Sequence, residues 1–140
     1  MRNIKTYQSK LSLTIALFIL AVFAFVGFEI IHSNQQSELG VVVYVLTIIF
    51  LIYLYFTTSY KIIDHKELEI KVGILMNDKI DIGKISRIRK TKSLISSPAW
   101  SLDRIEIFYN KYDSVIISPK NRKEFIQDLQ KINSSIIVEL

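Results

Sequence analysis

A chain of 140 residues, 50% hydrophobic and 22% charged, has room for one small folded domain beside any membrane segment. The absence of cysteine excludes disulfides, thiolate nucleophiles and cysteine-bound metals, and two histidines leave little for catalysis. A net charge of +5 favours an anionic neighbour, of which a membrane surface is the nearest.

The first ten residues carry Arg2, Lys5 and Lys10 and no acid. The apolar run that follows, Leu11 to Ile31, is longer than the h-region of a secretion signal, and no small-x-small cleavage site comes after it. It reads as a retained helix. A second run, Leu39 to Phe56, has no charge. At 1.5 Å per residue the two reach roughly 32 Å and 27 Å, close to the ~30 Å hydrocarbon thickness of a bilayer. The short polar connector from His32 to Glu38 allows only a tight return. This predicts a transmembrane hairpin over residues 1–58, with spans at about 11–31 and 39–56. Ser12 with Ala16, or Ala24 with Gly27, would let its helices approach closely. The connector lacks Lys and Arg, whereas Arg2, Lys5 and Lys10 precede the hairpin and Lys61, Lys66 and Lys71 follow it. The positive-inside rule therefore predicts a multi-pass cell-membrane protein with both termini cytoplasmic. Tyr7 before the spans, and Tyr53, Tyr55 and Tyr60 around the end of the second, read as interfacial aromatics. Glu29, the one ionisable group inside a span, lies close enough to His32 to reach the outer headgroups and reads as an interfacial carboxylate.

From Thr57 the period changes, and residues 59–140 read as one α+β domain. Ser59–Ile63 is a strand, Asp64-His-Lys66 a turn, and Glu67–Val72 alternates with Leu68, Ile70 and Val72 on one face. Gly73 closes it. Met76–Ile82 and the basic Ile85–Lys92 are two further strands, followed by a serine-rich loop from Ser93 to Leu102 that contains Pro98 and Trp100. Trp100 reads as a plug over the core edge. Arg104–Tyr109 and Ser114–Ser118 are the last strands. Phe125, Ile126, Leu129 and Ile132 then recur at helical spacing, with Asn121 and Glu124 placed as a capping pair and Pro119 ending the strand. A curled antiparallel sheet or barrel capped by this terminal helix is the simplest architecture.

This order of elements resembles the pleckstrin-homology-like fold, in the small bacterial version of the YyaB-like type found on membrane proteins. The similar stretches are Tyr60–Asp64 with Leu68–Ile70, Ile82–Ile88, Ser101–Ile107, and Ile117–Asn121 leading into Phe125, Ile126 and Leu129. The resemblance spans about residues 57–137. It implies the fold, and it marks Ser101, Asp103, Arg104, Ser118 and Pro119 as family-motif loop positions. Read as chemistry, Ser101 and Asp103 are short side chains able to accept from loop N–H groups, and Arg104 can pair with Asp103 or reach a neighbouring strand. Eukaryotic relatives of the fold bind phosphoinositides through basic residues near the first two strands. Here Asp64-His-Lys-Glu67 is mixed in charge, so that activity is not carried over.

Enzymatic readings find no support in the sequence. His32 and His65 are separated by a predicted span, no nucleophile elbow accompanies His65, and the four glycines form no phosphate-cradling loop. No cofactor or metal is expected. The strongest functional feature is the stripe Lys84, Arg87, Arg89, Lys90 and Lys92, which contains no acid. Near a cytoplasmic leaflet it could contact anionic phospholipid or a partner; the alternative is a solvated face balanced by Asp78, Asp81 or Glu106. Nucleic acid is not expected for a tethered domain without an aromatic stacking platform. The sequence thus points to a membrane-anchored binding module with a protein partner and possible anionic-lipid contact. The alternative is a small hairpin protein acting in immunity to a membrane-active peptide or as a transport-complex accessory.

Overall fold

The two apolar runs fold as helices α1 (Leu13–His32) and α2 (Glu38–Thr57) in a computed structural model, which describes residues 3–33, 38–93 and 101–140. Both are long and apolar enough to cross a membrane. They touch where Tyr44 donates its hydroxyl to the Phe23 carbonyl at 2.6 Å, and a Cβ added at Gly27 would lie 2.9 Å from that hydroxyl. The small residue is what lets the tyrosine in.

What flanks the hairpin differs from the expectation. Residues Ile4–Gln8 form a strand, β1, paired antiparallel with β2 (Thr58–Ile63), so that Ile4 faces Ile63 and Gln8 faces Ser59. The hairpin is an insertion between two adjacent strands of one sheet. Tyr7 and Tyr60 are accordingly not interfacial: they face each other across the ladder, and both are buried in the core. Tyr53 and Tyr55 remain on α2.

Strand β3 (Glu67–Val72) buries Leu68, Ile70 and Val72, the alternate positions of a half-buried strand. Asp64 and His65 turn between β2 and β3 with φ of 50° and 52°, which the Asp64 side chain supports by accepting from the Asn3 N–H at 2.9 Å. After β4 (Met76–Asp81), a 3-10 turn at Ile82–Lys84 leads into β5 (Ile85–Thr91), β6 (Arg104–Tyr109) and β7 (Asp113–Ile117). Helix α3 (Arg122–Ile132) follows, then a short strand β8 (Ile137–Glu139) that sequence alternation did not signal, laid parallel beside β5. The strands make two four-stranded sheets, β1-β2-β3-β4 and β7-β6-β5-β8, and among the described residues they do not close into a barrel.

Helix α3 buries Phe125, Ile126 and Leu129 over the apolar faces of both sheets, the cover expected from its spacing. Asn121 does not cap the helix backbone: its side-chain amide donates to Glu124 at 3.4 Å. Trp100 and most of the Ser93–Leu102 loop lie outside the described residues.

Candidate functional site

Strand direction gives the domain two ends. β1 runs toward the hairpin and β2 leaves it with no intervening residue, so the β3–β4 turn lies at the hairpin end and the β2–β3 turn at the far end. The inner face of β1 presents Lys5 and Tyr7, and Ser9, just past its end, continues the alternation. Ser9 lies 3.1 Å from the Ser118 hydroxyl and accepts from the buried Tyr60 hydroxyl at 3.1 Å. Burial raises the Tyr60 pKa, so the hydroxyl is held as a donor. Ser9 also bridges Pro119, flanked by Lys10 N–H to Ser118 carbonyl at 2.7 Å and Lys120 N–H to Gln8 carbonyl at 2.9 Å. Ser118 and Pro119 therefore tie the end of β7 to the root of α1.

The other motif positions lie beside this root. The Ser101 hydroxyl accepts from the Asp103 N–H at 3.1 Å. Asp103 does not pair with Arg104. It accepts from Lys10 at 2.9 Å and from Arg122, and these cations, Lys10 first, hold its carboxyl below the usual range. Arg104 is buried and donates to the backbone carbonyls of Ser101 and Ser93, the latter at 2.9 Å. A buried guanidinium satisfied by carbonyls is a brace for the chain on either side of the loop.

The basic stripe is divided. Arg89 donates twice to Glu106, at 2.8 and 3.0 Å, and lies over the Phe108 ring. Arg87 approaches Glu139 of β8 at 3.8 Å. Lys84 sits in the 3-10 turn at the far end, where its carbonyl accepts from Asn110. Lys90 and Lys92 are exposed at the other end of β5, Lys90 close enough to Asp103 to act on its carboxyl. The five residues do not form one continuous face.

At the far end, a cleft of about 520 Å³ opens between β1 and α3, lined by Asn3, Lys5, Ile62, His65, Asp128, Lys131 and Ile132. Sequence reasoning passed over it because its two walls are remote in the chain. Asp128 accepts from Tyr7 at 2.6 Å, from Lys131 at 2.8 Å and from Lys5, which also reaches Glu124 at 2.8 Å. These donors, Lys131 first, pull the Asp128 carboxyl far below its usual range. Asp128 in turn holds Lys5 well above an ordinary lysine, while burial and the Asp128 contact push Tyr7 up to about 12. A depressed carboxyl pKa contributes stability above its unfolded value and loses it as pH falls through the folded one. We expect β1 to loosen from α3 below about pH 4, read as faster amide exchange at Thr6 and Tyr7, and Asp128→Asn to flatten that acid dependence. His65 lies 2.9 Å from the Asn3 amide, and no group of three metal-ligating side chains exists among the described residues.

The family model described as Bacterial PH domain matches residues 58–133, more than half of the chain. No curated protein and no solved structure matches. The matched segment begins at β2, so β1 and the hairpin lie outside it.

Proposed function

The chain belongs to the bacterial PH domain family, and from that premise we propose that it is a membrane-anchored, non-catalytic binding module of the YyaB-like type. The hairpin spans the cell membrane, both ends of the chain are cytoplasmic, and the folded domain comprises β1 together with residues 58–140. The observation that carries this reading is the insertion of the hairpin between paired strands. Two roots in one sheet hold the domain at a set orientation, which a single flexible linker would not do. A protein partner then meets the far end, and Lys90 and Lys92 contact anionic phospholipid near the hairpin end.

The apolar groove of about 480 Å³ between α1 and α2 favours a second reading, in which the hairpin itself takes the partner. A photo-crosslinking residue at Lys131 or at Ile48 separates the two. Adducts from Lys131 in intact membranes support the domain reading. Adducts from Ile48 alone transfer the function to the hairpin.

Topology has its own expected result. A cysteine replacing Glu38 reacts with a membrane-impermeant maleimide from outside intact cells, and one replacing His65 reacts only after permeabilisation. The native chain has no cysteine to confuse the signal. The reverse pattern would place the domain outside.

A further inference from the structure

The β3–β4 turn, Gly73-Ile-Leu75, lies against the last turn of α2. A Cβ on Gly73 would come within 2.9 Å of Leu54, 3.0 Å of Tyr53 and 3.1 Å of Thr57, and Gly73 takes a φ of +49° that favours glycine. Leu54 is the one buried side chain of α2, so this contact is where helix and domain are packed together. The two residues that the turn then presents are large and apolar, Ile74 with 79% of its surface exposed and Leu75 with 63%. In a soluble setting such a pair at a turn tip is out of place, because turns are ordinarily polar. Beside the turn stands Tyr53 of α2, a residue of the kind that lies at headgroup level. Lys71, two positions before Gly73, is exposed.

We infer that the Ile74–Leu75 turn is a lipid-binding wedge, which enters the headgroup–acyl boundary of the same leaflet from which α2 emerges. Its occupant is phospholipid, because the turn is packed on the end of a helix long enough to span and shares that helix's apolar surface. The wedge gives the domain a contact with the bilayer beyond the two hairpin roots. It fixes the tilt of the first sheet, and it holds the Lys5–Asp128 cleft, at the opposite end of β2 and β3, roughly 20 Å from the surface at 3.3 Å per strand residue. The inference rests on the reading of α1 and α2 as spans.

The full chain, carrying a single cysteine at Ile74, Leu75, Lys66 or Phe50 labelled with an environment-sensitive fluorophore, is reconstituted into phosphatidylcholine–phosphatidylglycerol vesicles containing lipids spin-labelled high on the acyl chain. Labels at Ile74 and Leu75 should shift to the blue and be quenched about twofold or more relative to the label at Lys66, as an apolar group at the headgroup boundary would be. The Phe50 label, inside α2, separates the two claims. If Phe50 is quenched while Ile74 and Leu75 match Lys66, the wedge is wrong and the spans stand. If Phe50 is unquenched, the spans do not insert, and the wedge falls with them.

Discussion

A soluble protein in which residues 11–57 are replaced by a short glycine-asparagine turn should fold, whereas the domain begun at residue 58 should not. The difference is β1. Tyr7 has 5% of its surface exposed, packs edge-on against Phe125 at 5.1 Å between ring centres, and donates to Asp128. Removing a buried aromatic costs about 3–5 kcal/mol, against a total of about 5–15 kcal/mol for a domain. Loss of the whole strand also strips β2 of its outer neighbour and leaves a new unpaired edge open to aggregation. Tyr7→Ala in the spliced protein isolates the side-chain part and should lower the urea midpoint strongly. Cooperative melting of the 58–140 piece at the temperature of the spliced protein would show that β1 is dispensable.

Leu129→Ala, made in the same spliced background, should cost roughly 2–5 kcal/mol. Leu129 is fully buried among Phe125, Ile126 and the isoleucines of both sheets. The helix cannot settle into the gap, because Asn133 at its end donates to the carbonyls of Ile82 and Ile85 at 2.9 and 3.1 Å. Lys123→Ala, on the exposed face of α3, serves as the control and should be near neutral. Equal urea midpoints for the two variants would mean that the helix does not cover the core.

The elements with strong periodicity were legible in the sequence: the two apolar helices, the strands from β2 to β7, and α3 with its buried Phe125, Ile126 and Leu129. β1 was not. It is five residues long and buries Tyr7 alone, and its own Lys5, with Arg2 and Lys10 on either side, carries the same signal as the basic flank of a span. Lys5 belongs instead to α3, through Asp128 and Glu124. β8 escaped for a similar reason, being three residues long with its buried neighbour Ile136 just outside it. In the basic stripe, alternation correctly put Arg87 and Arg89 on an outward face. Of the acids named to balance it, Glu106 does meet Arg89, whereas Glu139, on the unsignalled β8, is the one that alternation could not bring to Arg87. The Lys5–Asp128 cleft was illegible because it depends on the pairing of β1 with β2, and the contact it then allows, Lys5 to Asp128, joins residues 123 positions apart.

The central claim is that residues 4–8 and 58–63 are neighbours while the chain between them crosses the membrane twice. Thr6 and Lys61 are opposite each other across the β1–β2 ladder, within the Cα separation a disulfide bridges. With cysteines at these two positions in the full chain, mild oxidation of membrane vesicles should give a Thr6–Lys61 crosslink, while Thr6 paired with a cysteine at Lys79 gives none. Two reactive cysteines at Thr6 and Lys61 that stay reduced in the membrane would contradict the inserted hairpin.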